Sequence, residues 1–424
     1  MRPHAPLLRE RCMTGLRGQE KETYMSLKNG VQVLGLHFKN PIVVASTDIA
    51  RTAEQFRAFA ESGVGAIITK SVTDAPALQD AGIARIHIAD MYQRPVRGEG
   101  YPDQYYFFSR GGSMLSMEAF GRKAPELLAI GKENGVVVIG SIAASNLENW
   151  VSYARQMEQL GFPAIELNFG NPHGEASKGK LGFLIGQSPE LCRQIAGAVR
   201  RAVSIPVIVK LTPQVSSVAE ITKVLYEEGI SAVTVMHRFQ GLMVDPETDE
   251  PVLGGWAALG GPWMKPVSLA NVARARRAVP EMTILGGNGA DTARDVYDYM
   301  CCGASLVEVG SSMMLRGPEY ASALVEELDA LVHAKGMEEY NQVVGRTADH
   351  IVTYQNLGSL PRRQVTVQTE LCRDCEERPC LRTCYFGGMK PIEAGVLHDD
   401  EACSGCGLCL HSCPKQAVSI EEIS

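Results

Sequence analysis

A chain of 424 residues with 45% hydrophobic side chains holds enough apolar material for one large core and a smaller second unit. Its 41 basic and 48 acidic residues leave a net charge of −7, which argues against a nucleic-acid partner recruited by bulk charge. No apolar run, the longest being 135–144, approaches the ~18–20 residues that a membrane-crossing helix needs.

Residues 1–24 are polar and unpatterned, and residues 1–27 read as a tail, with Met25 as an alternative start. They contain arginines but no continuous apolar stretch of the kind a secretory signal carries. Cysteines spaced for metal rather than for an exported disulfide framework place the chain in a reducing cytoplasm.

From Leu34 to about Gly336 two textures alternate. Apolar, β-branched runs mark buried parallel strands at 41–46, 66–71, 136–141, 164–169, 206–211, 232–236, 283–287 and 306–310. Amphipathic stretches at 53–62, 147–160, 189–203, 218–228, 269–279 and 292–302 read as helices, with a closing helix over 319–335. Eight strand–helix units within residues 28–336 fit an α/β fold of the (β/α)8 TIM-barrel type. A doubly wound sheet is the alternative. It usually shows a Gly-rich dinucleotide loop after its first strand, where this chain has Ala45-Ser46-Thr47-Asp48. Two connections are long, 74–132 after the second strand and 239–266 after the sixth. Long loops in a compact domain are usually functional, and loops that follow barrel strands build the active-site face.

The strand ends carry the candidate chemistry. Lys70 ends the second strand and Lys210 lies in the fifth. A lysine inside a barrel must meet a negative partner or lose its charge. A structural ion pair with Glu166 satisfies that need; an anionic cofactor such as a reduced flavin, with negative charge at its N1/O2 edge, satisfies it better for two such lysines. Gly286-Gly287-Asn288-Gly289 and Gly310-Ser311-Ser312 follow strands seven and eight, where many barrels hold phosphate on backbone N–H groups. Asn168, in Asn168-Phe169-Gly170-Asn171-Pro172-His173-Gly174, ends strand four and suits a planar polar ring. His173 is an acid, a base or a loop-holding donor. His237-Arg238 ends strand six, either facing the same mouth or forming a surface pair with Asp245 or Glu247.

A linker is expected over 337–370, followed by a small domain over 371–424 that holds eight of the twelve cysteines. Cys403, Cys406, Cys409 and Cys413, followed by Pro414, have the C-x2-C-x2-C-x3-C-P spacing of a 4Fe–4S site. Cys372, Cys375, Cys380 and Cys384 form a second block, which departs from that spacing between Cys375 and Cys380 and has Tyr385 in place of proline. In two-cluster ferredoxins the fourth cysteine of each block serves the other cluster. That pattern assigns Cys372, Cys375, Cys380 and Cys413 to one cluster and Cys403, Cys406, Cys409 and Cys384 to the other. Zinc, which favours paired C-x-x-C units, and disulfides are the competing readings. Cys192, Cys301 and Cys302 sit in apparent helices as small core residues, and Cys12 shows no metal spacing.

Several motifs together resemble the dihydroorotate dehydrogenase-like FMN barrels, and among them the pyrimidine-reducing part of dihydropyrimidine dehydrogenase, in which an FMN barrel precedes a two-cluster ferredoxin tail. They are 35–41 (GLHFKNP), Thr69-Lys70-Ser71, Glu166-Leu167-Asn168, Pro172-His173-Gly174, 186–191 (GQSPEL) and Val209-Lys210-Leu211-Thr212-Pro213. The resemblance implies FMN held by Ala45, Ser46, Lys70, Asn168, Lys210, Gly260, Gly261, Gly287, Gly310 and Ser311. It also exposes departures. The family's catalytic cysteine position is Asn171, and a carboxamide does not titrate near neutral pH. A substrate-binding asparagine in the long loop is replaced by Ser116, and an Asn-Thr pair by His237-Arg238.

These residues imply an FMN- and iron–sulfur-dependent oxidoreductase acting on a CH–CH bond of a pyrimidine-like or other unsaturated cyclic compound. Electrons would pass through the clusters from an NAD(P)H-oxidising flavoprotein partner, because no dinucleotide motif is present, and related barrels commonly form homodimers. His237 is the first candidate for the missing proton donor, His173 the second, and Ser116 a third if a base relays to it. Asn168, Ser116, His237 and Arg238 are the candidate substrate contacts, Arg238 for a carboxylate or an enolate-like oxygen. The competing functions are an electron-transfer subunit without substrate chemistry, and an iron–sulfur protein whose barrel binds no flavin.

Overall fold

The computed structural model describes Leu27 and residues 30–98, 100–177 and 181–423. Most of the expected tail, Met25 and Cys12 lie outside the described residues, as do 178–180 of the loop after the fourth strand. The chain divides after His350 into two units.

The first unit is a closed parallel barrel. Its strands are β1 (Ile42–Val44), β2 (Ala66–Ile68), β3 (Val137–Ala143), β4 (Ala164–Asn168), β5 (Val207–Lys210), β6 (Ala232–Val235), β7 (Thr283–Gly286) and β8 (Leu306–Val309). Each pairs with the next, β8 pairs with β1, and β2 pairs directly with β3 through Ala66↔Val137. All eight expected strands are present; seven are shorter than their apolar runs, whose polar ends turn out into the mouth, and β3 extends two residues further, to Ala143. The helices that return the chain are α1 (Ala53–Glu61), α2 (Ala124–Glu133), α3 (Leu147–Gln159), α4 (Pro189–Ala202), α5 (Val218–Glu227), α6 (Lys265–Ala278), α7 (Ala293–Cys301) and α8 (Ser311–Ala334).

Local chemistry places the turns. Thr52, Asn146, Ser188, Ser217 and Thr292 each stand before a helix and accept a hydrogen bond from a first-turn backbone N–H. Helix α8 begins eight residues earlier than expected, at Ser311 rather than 319. Its path breaks at Gly317, with φ of 80°, beside Pro318, so the apolar periodicity becomes regular only beyond that point.

Side chains alternate across each strand. On β4, Ile165 and Leu167 face the helices, while Glu166 and Asn168 point into the barrel. On β5 and β8 the same alternation turns Lys210 and Glu308 inward. All four inward groups are buried. The core between strands and helices is apolar and includes the fully buried Trp150, Phe162, Phe169 and Tyr299.

The two long connections contain regular structure. Arg85–Asp90 and Tyr105–Arg110, after β2, form a hairpin. Phe239–Gly241 and Ala257–Gly260, after β6, form another. Ala258↔Ser109 and Gly260↔Phe107 join them into one four-stranded antiparallel sheet. The sequence of each hairpin alone does not show its partner, because the pairing spans about 150 residues of chain.

The expected linker over 337–370 is divided between the two units. Met337, Tyr340, Val343 and Ala348 bury into the barrel's core, so that unit runs to His350. In the second unit Arg362–Val367 pairs antiparallel with Val418–Ile423, along Arg362↔Ile423 to Val367↔Val418. A hairpin of Met389–Ile392 and Gly395–His398 and two one-turn helices, Pro379–Thr383 and Leu408–Ser412, complete it. Its small core contains Val365, Met389, Val396 and Val418 together with Cys380 and Cys409. No helix among the described residues is long and apolar enough to cross a membrane.

Candidate active site

At the C-terminal ends of the barrel strands lies a cavity. Ala45, Ser46 and Thr47 line it from β1, Lys210 from β5, Met236, His237 and Arg238 from β6, and Glu308 from β8. Phe107, Gly260 and Gly261 close it from the four-stranded sheet. The loops after β7 and β8 contribute Asn288, Gly289, Ala290, Gly310, Ser311 and Met314. Seven of the residues expected to hold a cofactor therefore converge: Ala45, Ser46, Lys210, Gly260, Gly261, Gly310 and Ser311.

Two glycines show why the wall approaches so closely. Gly261 has φ of 116°, and a Cβ there would stand 2.3 Å from the Tyr105 carbonyl oxygen. Gly289 has φ of 118°, with the Lys265 backbone nitrogen 2.6 Å from any Cβ. Only glycine fits such positions. The loop after β7 is also held by Asn288, whose Nδ2 donates to the His237 carbonyl over 2.9 Å. Tyr105 donates to Asp291 over 2.9 Å, and Arg316 pairs with Asp291 at the same distance, tying the sheet to the loop and to α8.

The other three expected cofactor residues lie beside the cavity, outside its lining. Lys70 pairs with Asp48 at 3.2 Å; burial lowers its pKa, and Asp48 offsets part of that. Asn168 is buried, donates from Nδ2 to Ser71 Oγ over 3.2 Å, and has an Oδ1 that receives no hydrogen bond. Gly287 packs against the Cβ of Glu308.

On the floor, Lys210 contacts Glu308 and lies 3.6 Å from Glu166. The sequence anticipated the Glu166 pair but not Glu308. The signal was present, a lone carboxylate inside the apolar run Leu306-Val307-Glu308-Val309. Burial would lower the Lys210 pKa, but Glu166 and Glu308 outweigh it and raise the value. Burial, reinforced by Glu308, pushes Glu166 up to about 8.

His237 and Arg238 face the cavity, and no salt bridge among the described residues joins either to Asp245 or Glu247. The Arg238 guanidinium donates to Ser109 Oγ over 2.5 Å and has no carboxylate partner among the described residues. Burial lowers its pKa to about 10. The Arg238 backbone N–H donates to His237 Nδ1 over 2.7 Å, so the ring's proton belongs on Nε2. Burial, then Lys210, then Arg238, holds the His237 pKa well below its ordinary value. The imidazole is therefore a neutral Nε2–H donor at neutral pH rather than a charged acid.

The structure does not bring the remaining candidates into this cavity. Ser116 accepts from the Ala119 backbone N–H over 3.2 Å and caps the helix Met117–Gly121. Asn171 is buried, and its Oδ1 accepts from the His173 backbone N–H over 3.0 Å while its Nδ2 has no partner. His173 lines a neighbouring groove with Arg85, Arg110 and Gly111.

In the second unit all eight cysteines are free thiols, which removes the disulfide reading. No group of three or more His, Cys, Asp or Glu among the described residues is gathered as a single metal ion would require. Several of the thiols lie near one another. Cys384, Cys403, Cys406 and Cys409 line one small pocket. Burial raises the Cys380 pKa, and the proximity of Cys413, Cys372 and Cys375 raises it further. Backbone N–H groups of Gly405 and Ala417 donate to the sulfurs of Cys403 and Cys413, each over 3.3 Å.

The family profile described as dihydroorotate dehydrogenase matches residues 28–332. The chain is 28% identical over 314 residues to the dihydroorotate dehydrogenase B (NAD(+)) catalytic subunit of Methanocaldococcus jannaschii, covering 74% of this chain and 96% of that one. The protein of the same name from Thermoplasma volcanium is 30% identical over 312 residues, with 73% and 95% covered. The one from Methanocella arvoryzae is 31% identical over 280 residues, with 66% and 85% covered. The family match ends before the second unit begins.

Proposed function

The chain belongs to the dihydroorotate dehydrogenase family, and from that premise we propose that it is an FMN-dependent oxidoreductase acting on a CH–CH bond of a pyrimidine-like or other unsaturated cyclic compound. The observation that carries this reading is the convergence of seven cofactor candidates, Lys210 on the floor among them, on one cavity. The glycine cradle and the loops after β7 and β8 would hold the phosphate and ribityl chain, and Lys210 would meet the flavin's electron-rich edge. Bound FMN supplies hydride exchange with the substrate carbon.

The protein's own residues supply the rest. His237, as a neutral Nε2–H donor, and Arg238, as a half-buried cation with no salt bridge among the described residues, present two donors to one cavity. Donors fixed in a water-poor site stabilise an enolate-like oxygen as charge develops there. Asn171 holds its loop through Oδ1 and cannot titrate, so the proton for the neighbouring carbon comes from another group or from water. The same residue favours the second reading, an electron-transfer subunit without substrate chemistry.

The two four-cysteine sets support two 4Fe–4S clusters in the second unit. Clusters move electrons singly, which fits an NAD(P)H-oxidising flavoprotein as the source. The matched proteins are named as catalytic subunits, which supports a partner subunit. A barrel followed by such a unit is the arrangement expected of a dihydropyrimidine dehydrogenase-like enzyme.

The test is anaerobic purification, chemical reduction, and reoxidation by uracil, thymine, orotate and a wider panel of unsaturated heterocycles. Rapid reoxidation of flavin by one of them supports the enzyme reading and names its substrate. Reoxidation by none supports the electron-transfer reading. Absence of flavin after correction for cluster absorbance refutes both.

A further inference from the structure

In the second unit, the small pocket lined by Cys384, Cys403, Cys406 and Cys409 also contains a histidine, His398. Cys384 belongs to the first cysteine block, so its place beside three cysteines of the second block matches the crossed arrangement of a two-cluster unit. The hairpin of Met389–Ile392 and Gly395–His398 delivers the histidine. Met389 and His398 are opposite each other in its register, and both line the pocket.

The His398 side chain is only 9% exposed. Its Nδ1 lies 3.3 Å from an Asp400 carboxylate oxygen, and Asp400 itself is exposed. Its Nε2 is buried and has no hydrogen-bond partner among the described residues. A buried polar nitrogen left without a partner is costly, so the group that fills the pocket is expected to supply one. Apart from the four cysteines, the only other polar side chain in the lining is Ser404, and the rest is apolar or glycine. Sulfur is therefore the acceptor this pocket presents most often.

Building on the cluster reading above, we propose that His398 tunes the 4Fe–4S cluster held by Cys384, Cys403, Cys406 and Cys409, donating its Nε2–H to a sulfur and raising that cluster's reduction potential. Reduction adds one negative charge to the cluster and its sulfurs. An N–H donor therefore binds the reduced form more strongly than the oxidised one. The step is the gain of one electron, from the flavoprotein partner or, in the test, from dithionite. No covalent bond forms or breaks, and the ring keeps its proton. Asp400, beside Nδ1, orients the ring. Cys372, Cys375, Cys380 and Cys413 are not in the lining of this pocket, so the effect belongs to one cluster.

The test uses the full chain purified without oxygen, with iron content measured first. The midpoint potentials of the two clusters are then followed by electron paramagnetic resonance during titration with dithionite. His398→Leu should shift the electron equilibrium of one cluster about tenfold towards the oxidised form, about 59 mV lower for one electron, and leave the other cluster unmoved. His398→Gln keeps an N–H donor and should recover most of that shift. Unmoved midpoints in His398→Leu, equal movement of both clusters, or a glutamine variant as low as the leucine one overturn the proposal. Should His398→Leu fail to assemble its clusters, pulsed resonance spectra of the reduced wild type labelled with nitrogen-15 histidine decide. A weak nitrogen coupling that is absent from His398→Gln supports the proposal. No coupling, or the strong coupling of a direct iron ligand, overturns it. A preparation without iron overturns the cluster reading and this proposal together, whereas two clusters with unmoved midpoints overturn this one alone.

Discussion

The two units assemble their chemistry in opposite ways. In the second unit, eight thiols lie between Cys372 and Cys413, and each set of four comes from short stretches of chain. In the barrel, one cavity draws on residues from Ala45 to Met314, contributed by strands and by a sheet built from two distant hairpins. A site built on short spacings changes as a whole when one ligand is lost. A site built on separate strand ends can keep one wall and alter another. Gly260, Gly261, Gly289 and Gly310 give the cavity a wall of close-packed backbone, while His237 and Arg238 bring polar side chains to it, Arg238 packing against Gly260.

Removing a ligand from the second unit is the sharpest probe of this contrast. Cys406→Ala should lower the iron content of anaerobically purified protein by roughly half, leaving the flavin in place. Unchanged iron would break the ligand assignment, and loss of flavin as well would show that the two units do not fail independently.

The barrel's counterpart is Lys210→Met. It leaves Glu166 and Glu308 facing each other without their cation, and breaking a buried pair typically costs about 3–5 kcal/mol. A lower Tm is expected, with weaker flavin binding or slower flavin reduction. The pH dependence carries a sign. Glu166 in the folded protein is pushed up to about 8, above its ordinary value near 4.5, so the folded state binds more protons between those values. Its contribution to stability is complete below about 4.5 and is lost as pH rises towards 8. Thermal unfolding of Glu166→Gln should therefore depend less on pH across that window. An unchanged slope would place the responsible proton elsewhere.

His237 separates a neutral donor from a charged acid. Because its pKa is held well below the ordinary histidine value, the rate should show no break near pH 6.5 from this group. His237→Ala should slow turnover by about 10²–10³-fold, the cost typical of losing a fixed donor to a developing oxyanion. His237→Gln keeps an N–H and should recover part of that loss. Equal damage in both variants would return the imidazole to a proton-transfer role.

The same contrast explains what could be read before the fold was known. The eight strands announce themselves as apolar runs, and the thiol sets by their spacing, because both signals are local. The capping residues Thr52, Asn146 and Thr292 are equally local. Three kinds of information were not local. The four-stranded sheet depends on Ala258 meeting Ser109, which no pattern in either hairpin announces. Glu308 gains meaning only when β8 turns it onto Lys210. Met337 to Ala348 looks like a linker because its apolar residues are sparse and its turns are short 3-10 segments, yet those few residues pack into the barrel core.

Ser116 offers the finest test, because sequence position and structure suggest different duties. Its place in the long loop after β2 matches a substrate-binding position in the related barrels. In the structure its hydroxyl accepts from the Ala119 N–H at the start of the helix Met117–Gly121, and it lies outside the cavity lining. An N-cap hydroxyl is worth about 1 kcal/mol. Ser116→Ala should therefore lower stability by about that amount, and Ser116→Asp, which can also cap, should restore it. A capping role moves Tm and leaves KM and turnover alone. Should Ser116→Ala instead raise KM severalfold at unchanged Tm, the loop must bring this hydroxyl to the substrate when one binds. The substrate wall would then be assembled by the ligand rather than by the fold.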